Sequence, residues 1–529
     1  MEFLIKNGNI VDGTMAKPFI GDIHVKDGKI HAIGEKLEAD GIKVIDAKKR
    51  LVTPGFIDTH SHSDLIMLLD PYNEVKIRQG ITTEVLGQDG ISMAPLPIEY
   101  ISPWRKNLAG LDGDSDDIDW EYETTENYLN MMAEKGVGLN ESYLVPHGNI
   151  RMEAMGLVGE VATDEQIEKM CEITRREMKA GAFGLSTGLI YMPCAYSETK
   201  EVVEMCKVVA EFDGVFVVHQ RSEADTIIDS MREIIRIGKE SGVKVHFSHF
   251  KVCGKQNWKY IDGVIELLEE AIESGIRVSF DQYPYAAGST MLGVILPPWA
   301  HNGGTDELIK RLKNEEDRKR MKKDIATGIP GWDNFVDFAG IDQIFVTSVK
   351  SDENQEVVGM SLEELGKFRK QDPLDATFDL LRDEDNAVGM VDFYGKEEHI
   401  IKFMQRPEHN VCTDGLMAKG KPHPRAYGSF PKILGRYVRD QKVLTVEQAV
   451  NKMTQKSANA MGIKGRGSLE VGKYADILII DMETVADTAT FIDPVQFPVG
   501  IDNVFINGHH VIEEGVYNKI LAGKVIKRS

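Results

Sequence analysis

The chain reads as an α/β protein: a (β/α)8 TIM-like barrel, joined by a composite β-sandwich domain from both termini and an inserted subdomain. Three observations predict this. Short apolar, β-rich runs alternate with amphipathic helical stretches through the middle of the sequence. Both ends instead alternate apolar and polar residues in short runs broken by Gly, Asn and Asp. The interval from about Ser289 to Asn410 is too long for a single crossover between strands. At 529 residues the chain also exceeds one ordinary core, so a large domain with smaller companions is expected.

The first β segment, residues 1–52, contains Phe3–Lys6, Asp22–Lys26, Lys29–Ile33 and Lys43–Asp46. The same texture returns within 465–529 as Ala475–Asp481, Asn503–Ile506 and His509–Glu513, with turns at Gly467, Gly472 and Gly508. Domain termini tend to lie close together, so the two segments are read as one domain. Residues 53–464 form the barrel. Its strand candidates are Val52–Asp58, Ile81–Leu86, Ser142–Pro146, Ala182–Ser186, Val215–His219, Lys244–His249, Arg277–Tyr283 and Val411–Asp414. Asp164–Ala180, Thr199–Phe212, Ala224–Ser241 and Gly263–Ser274 are among the helices between them. Within 290–408, the charged helical section Asp306–Thr327 and the β-rich patch Asp342–Ser348 mark the inserted subdomain or lid.

Hydrophobic content of 42% and charged content of 28% are those of a folded soluble protein. A net charge of -22 argues against nucleic-acid binding, and any anionic substrate needs local cations to offset it. Five cysteines, Cys171, Cys194, Cys206, Cys253 and Cys412, form a sparse, odd set that reads as reduced thiols. The N-terminus lacks a basic region followed by an apolar core, and no apolar run is long enough to span a bilayer. The expectation is a cytoplasmic protein acting on a small-molecule substrate, with no nucleic-acid or membrane partner and with homo-oligomerisation left open.

Four elements read as one site: His60-Ser61-His62, His219, His249 and Asp414. Each closes a short strand-like run, and the C-terminal ends of parallel barrel strands converge on one face. Alternate residues of a strand point the same way, so His60 and His62 can face one metal. Imidazoles and a carboxylate gathered there suit one or two divalent metals, with Zn²⁺ favoured and Mn²⁺ or Co²⁺ possible. An isolated His-x-His is weak evidence; the downstream histidines strengthen it. His246 lies three residues before His249, on the opposite face of the strand, and is not read as a ligand. Asp414 can take the proton of an attacking water and deliver it to a leaving nitrogen. The competing reading of Asp414-Gly415 is an ordinary turn.

The pattern resembles the amidohydrolase superfamily, and within it the N-acyl-D-amino-acid deacylase (D-aminoacylase) family. Ser248-His249-Phe250-Lys251 with Asn257-Trp258, Asp281-Gln282-Tyr283-Pro284-Tyr285 and His423-Pro424-Arg425 carry the resemblance most specifically. Val52–Asp64, Gly87–Pro95, Phe183–Pro193 and His219–Glu223 add to it. The family holds metal on a cysteine in a Gly-Asn-Cys-Gly loop; here the loop reads Gly87-Gln88-Asp89-Gly90, so the resemblance makes Asp89 the ligand. A carboxylate there makes the site harder than a thiolate would. The resemblance further implies a cradle for a substrate carboxylate at Lys251, Tyr283, Ser289 and Arg425, with Tyr191 lining the pocket or polarising the amide carbonyl. Family deacylases for acidic D-amino acids carry an extra arginine where this chain has the apolar run Met291–Leu296, which implies a neutral or hydrophobic side chain. The implied activity is metal-dependent hydrolysis of N-acyl-D-amino acids.

Two other hydrolase readings are cyclic-amide and D-peptide hydrolysis; a scaffold that lost its chemistry is a third alternative. Cyclic-amide enzymes resembling dihydroorotases or hydantoinases use a carboxylated lysine at the fourth strand, where this chain has Leu185-Ser186-Thr187-Gly188. Arg221-Ser222-Glu223 is expected to brace the ligands. His147, Cys253 and Cys412 are read as structural.

Overall fold

The computed structural model describes residues 1–38, 40–417 and 420–528. Strands from both ends of the chain enter one nine-stranded sheet. Its order is Val516–Tyr517, His509–Glu513, Ile501–Ile506, Ile477–Ile480, Leu51–Pro54, Glu2–Ile10, Phe19–Lys26, Lys29–Gly34, and Lys43–Asp46 also pairs with Glu2–Ile10. The two ends meet where Leu51–Pro54 runs antiparallel to Ile477–Ile480. A register shift between Ile5 and Gly8 bends the first strand, so its first half pairs with Lys43–Asp46 and its last residues with Leu51–Pro54. Alternate residues such as Ile5, Ile23, Val25, Val52, Ile477 and Phe505 face one apolar core.

The run Val52–Asp58, expected as a single strand, is two. Leu51–Pro54 stays in the terminal sheet, and Phe56–Asp58 begins a parallel array. Gly55 lies between them, and a Cβ there would sit 2.2 Å from Thr82 Oγ1. Only a glycine lets the chain cross so close to its neighbour.

In that array Phe56–Asp58, Ile81–Leu86 and Asn140–Tyr143 pair in parallel. Val145–Pro146, Gly184–Gly188, Val215–His219, Lys244–Phe247, Val278–Gln282 and His409–Val411 pair in parallel in their turn. Leu144 alone separates the two sets, so Asn140–Tyr143 and Val145–Pro146 are halves of one extended stretch. After Val411 the chain returns to the first strand. Thr413 N–H donates to Asp58 Oδ1 (2.8 Å), Asp414 N–H donates to the His60 carbonyl (2.9 Å), and Gly415–Leu416 runs parallel to Ser61–His62.

Helices Asp164–Lys179, Thr199–Glu211, Ile227–Ser241 and Ile261–Glu273 cover this array. Each presents an apolar stripe, and Met170, Val202, Ile234 and Leu268 pack with Phe216, Phe247 and Phe280. The first of them starts at a capping box between Thr163 and Gln166.

Between Val278–Gln282 and His409–Val411 lies an antiparallel sheet of Ala287–Met291, Gly389–Phe393 and Ile344–Ser348, with Gly389–Phe393 in the middle. The helical section expected at Asp306–Thr327 is two helices, Thr305–Lys313 and Glu315–Thr327, divided at Asn314, whose side chain caps the second. This segment has its own core, including Leu308, Leu312, Met321, Phe378 and Leu381. Among the described residues no helix is long and apolar enough to cross a membrane. All five cysteines are unpaired.

Candidate metal centre

The ligand-type side chains sit just beyond the C-terminal ends of the parallel strands. His219 ends Val215–His219, His60 follows Asp58 by two residues, and His249 follows Phe247 by two. Asp89 follows Leu86 by three residues, and Asp414 follows Val411 by three. Three of these, Asp89 (φ 54°), His249 (φ 35°) and Asp414 (φ 47°), have left-handed backbones. Such a conformation is uncommon outside glycine and costs about 1–3 kcal/mol where the surroundings impose it. The Asp89-Gly90 pair is a turn, whereas Gly415 opens a strand, so the turn reading of Asp414-Gly415 does not hold; both carboxylates enter the same site.

The side chains form two sets. In the first, His60 Nε2 and His62 Nε2 each lie 3.6 Å from Asp89 Oδ2. The same nitrogens lie 3.6 and 3.3 Å from Asp414 Oδ1. In the second, His249 Nε2 is 3.6 Å from Asp89 Oδ1 and 2.9 Å from His219 Nδ1. Within each set the facing atoms lie within 4.8 Å of one another. Asp89 belongs to both, one oxygen turned to each.

All six residues are buried. Both ring nitrogens of His60, Asp89 Oδ1 and His219 Nε2 lack any hydrogen-bond partner. Buried polar atoms are almost always satisfied, so the partnerless His60 Nε2 and Asp89 Oδ1, each turned to the other ligand-type atoms, fit divalent cations, while His60 Nδ1 faces Asp281 and His219 Nε2 faces Glu223.

The candidate ligands are braced from behind. Asp281 Oδ1 accepts the His249 backbone N–H (2.5 Å), and its Oδ2 lies 4.0 Å from His60 Nδ1. His246, kept out of the ligand set, bonds Asp281 Oδ2 (2.9 Å) and Ser279 (2.7 Å). Asp112 lies 3.4 Å from His62 Nδ1, and Glu223 lies 3.3 Å from His249 Nδ1. A carboxylate on the rear nitrogen fixes the tautomer and leaves the front lone pair free. Of Arg221-Ser222-Glu223, only Glu223 touches the ligands. Arg221 instead holds Glu233 and the carbonyls of Ala195 and Ser197, and Ser222 holds Asp333. The Asp89 loop is pinned too, by Gln88 Nε2 on the Thr59 carbonyl (2.9 Å) and Gly90 N–H on Ser186 (3.1 Å).

Burial raises the Asp414 carboxyl, but Arg425, His60 and His249 outweigh it and hold it far below the usual range. Burial draws His219 down to about 4. His249 is also disfavoured by burial and Lys251, but Glu223, Asp414 and Asp89 lift it to about 9.

His62, Asp89, Asp414, His219 and His249 open into one cavity with Tyr191, Lys251, Tyr283, Ser289 and Arg425; His60 lies behind its wall. The cations expected to cradle a carboxylate are engaged within the protein. Lys251 Nζ lies 2.6 Å from Glu223 and 2.9 Å from His249 Nδ1. Arg425 bonds Asp414 Oδ2 (2.8 Å) and the Ser289 carbonyl (2.9 Å), while its Nε has no partner. The Ser289 hydroxyl donates to the Met390 carbonyl (2.8 Å), Tyr283 pairs with Tyr394, and Tyr191 meets Thr290 Oγ1 (2.8 Å). His423 accepts the Arg425 N–H (2.9 Å) and bonds the Ala287 carbonyl (3.0 Å), which explains the His423-Pro424-Arg425 motif.

Residues that no sequence signal picked out are Lys76, Asp112, Asp333, Asp392 and Tyr394. Lys76, fully buried, bonds Asp58 (2.7 Å), Ser61 (2.7 Å) and Thr413 (2.8 Å) and lies 3.2 Å from Glu84. It ties the strand of His60 and His62 to the segment bearing Asp414. Lys76→Met should cost about 3–5 kcal/mol of stability, because it leaves two buried carboxylates without a counter-charge. Chemical denaturation measures this, and an unchanged midpoint would remove the network from the account.

Comparison with known proteins fits this geometry. The amidohydrolase family model matches residues 43–333 and 349–512. A D-aminoacylase from Alcaligenes xylosoxydans xylosoxydans is 32% identical over 100% of this chain and 98% of its own. The crystal structure of N-acyl-D-glutamate deacylase from Bordetella bronchiseptica, complexed with zinc and a phosphonate mimic of the tetrahedral intermediate, superposes with a TM-score of 0.85 at 31% identity. It covers 100% of this chain and 99% of its own. A D-aminoacylase structure described for its binuclear metal centre, with one-metal activation and second-metal attenuation, gives 0.83 at 30% identity, covering 99% of both chains. This chain belongs to the amidohydrolase family and, within it, to the D-aminoacylases.

Proposed function

We propose that the chain is a metal-dependent hydrolase of N-acyl-D-amino acids, releasing a carboxylate and a free D-amino acid. One observation carries this: two His/Asp sets sharing Asp89 open into the same cavity as Lys251, Tyr283, Ser289 and Arg425. His60, His62, Asp414 and Asp89 would hold one divalent metal, and Asp89, His219 and His249 the other. Bound there, the metal supplies Lewis acidity toward the amide carbonyl and lowers the pKa of water. Zinc suits the nitrogen-rich donors, and manganese or cobalt suits the added carboxylate.

Asp414 accepts the proton of the attacking water and passes it to the departing nitrogen. Arg425 keeps Asp414 ionised until that transfer. The substrate carboxylate lies among Arg425, Lys251, Tyr283 and Ser289, with the partnerless Arg425 Nε as one available donor. Tyr191 reaches toward the amide carbonyl. Met291, Val294 and Leu296 line an adjoining pocket with Tyr191 and Trp332, which favours a neutral or hydrophobic side chain. The handedness rests on the relatives.

In this reading the parallel strands close as a (β/α)8 barrel over 53–464. Residues 1–52 and 465–529 make the composite β-sandwich domain, and 290–408 hold the inserted subdomain, which supplies Asp333, Asp392 and Tyr394 to the cavity wall. Five unpaired thiols favour a reducing, cytoplasmic setting.

The test is hydrolysis of paired N-acetyl-D- and N-acetyl-L-Met, Leu, Phe and Glu, with and without added Zn²⁺, Mn²⁺ or Co²⁺. Metal-dependent release of D-Met, D-Leu and D-Phe is expected, with D-Glu and the L series left intact. Turnover of the L series alone, or none in metal-loaded protein, would overturn the proposal.

A further inference from the structure

The end of the parallel array away from the metal centre carries a cleft of opposite charge to the rest of the chain. Lys464, Arg466, Lys524, Lys527 and Arg528 line it with Tyr474, around a volume of about 300 Å³. Phe183, also in its wall, precedes the strand Gly184–Gly188, whose far end reaches the Asp89 loop. The cleft is therefore a strand length from the catalytic cavity.

One wall is the segment 524–528, strapped across the starts of the strands by backbone bonds. Glu141 N–H donates to the Lys524 carbonyl (2.9 Å), Ile526 N–H to the Glu141 carbonyl (2.7 Å) and Arg528 N–H to the Gly181 carbonyl (2.8 Å). Its charges are poorly matched. Arg466 is neutralised by Asp476. Arg528 reaches Asp213 at 3.7 Å, but Asp213 already serves Lys244 (2.8 Å) and Arg277 (3.0 Å). Lys464, Lys524 and Lys527 have no carboxylate partner among the described residues, and Lys527 has only the Asn130 amide oxygen (3.0 Å).

A chain with a net charge of -22 repels anions at long range, so cations gathered without counter-charge in one concavity select an anion by local contact. Lysines act as mobile point charges suited to phosphoryl oxygens. The volume is many times the roughly 10–15 Å³ that one ordered water needs, so the cleft has room for more than a single small ion. We propose that this cleft binds a small polyphosphorylated anion, which joins the strap at Lys524 and Lys527 to the body at Lys464. Such a ligand stabilises the fold without entering the active site.

The experiment is calorimetric titration and thermal unfolding of the full-length, metal-loaded protein with tripolyphosphate, ATP and inorganic phosphate, at low and high salt. Metal content is measured before and after, since polyphosphates chelate. The expected result is saturable binding of tripolyphosphate and ATP near one per chain, weakened by salt, with inorganic phosphate at least about tenfold weaker and a raised Tm. Lys464→Gln/Lys524→Gln/Lys527→Gln should bind at least about tenfold more weakly while keeping wild-type turnover and metal content. Chelation would be the same in this variant and so does not imitate the loss. Absent saturation, equal binding by the variant, or inorganic phosphate binding as tightly as tripolyphosphate would each overturn the proposal. So would inhibition that persists in the variant, which would put the anion in the catalytic cavity.

Discussion

Asp414→Asn should lower kcat on N-acetyl-D-methionine by about a thousandfold while KM changes little. The substitution keeps the side-chain shape and removes the basicity that the proposed proton transfer requires. It also frees Arg425, whose guanidinium bonds Asp414 Oδ2 at 2.8 Å in the present structure. A buried cation facing a neutral amide should lower Tm as well, so the assay belongs well below the transition. Metal at Asp89, His219 and His249 should survive, since none of those side chains is altered. Metal analysis beside steady-state kinetics separates lost chemistry from lost metal. A variant that keeps its metal and more than about a tenth of the wild-type rate would take Asp414 out of the proton transfer.

The second large effect is expected at Asp89. Its two oxygens face different histidines, Oδ2 toward His60 and His62 and Oδ1 toward His249. Asp89→Ala therefore weakens both sets at once, and bound metal should fall from two equivalents to below one, with activity reduced at least about a hundredfold. Asp89→Cys puts the softer thiolate of the family into the same loop. It should strengthen the preference for zinc over manganese and cobalt, with zinc retained at about tenfold higher chelator. If Asp89→Ala holds two equivalents as tightly as the wild type, Asp89 is a loop residue and the two sets do not share it.

Much of the candidate centre was legible because the side chains that the structure brings together lie next to the strands that place them. His219 ends its strand, His60 and His62 are spaced to face one way, and His249 and Asp414 follow short apolar runs. Strand alternation also kept His246 out of the ligand set, and the structure gives it Ser279 and Asp281 instead. Asp89 was different: an Asp-Gly turn looks like any other, and only the family's motif marked it.

What stayed hidden depends on partners far apart in the chain. Lys76 looks like a helix-surface lysine, and it is buried only because Asp58, Glu84 and Thr413 meet around it. Asp112 means nothing until His62 turns toward it. The expected brace at Arg221 failed for the same reason, since Glu233 offered that guanidinium a bidentate partner. Periodicity equally cannot see that Val52–Asp58 changes sheets at Gly55, because both halves are apolar and extended.

The joint between Leu51–Pro54 and Ile477–Ile480 bears on how the chain is made. An N-terminal strand emerges from the ribosome early, and its partner follows roughly four hundred residues later. At about 5–20 residues per second, that interval is roughly 20–80 s of translation. Throughout it, one edge of Leu51–Pro54 has no strand to accept. Nascent chains of this protein therefore carry an open, apolar β edge through that interval, free to pair with the same edge of a neighbour on a polysome.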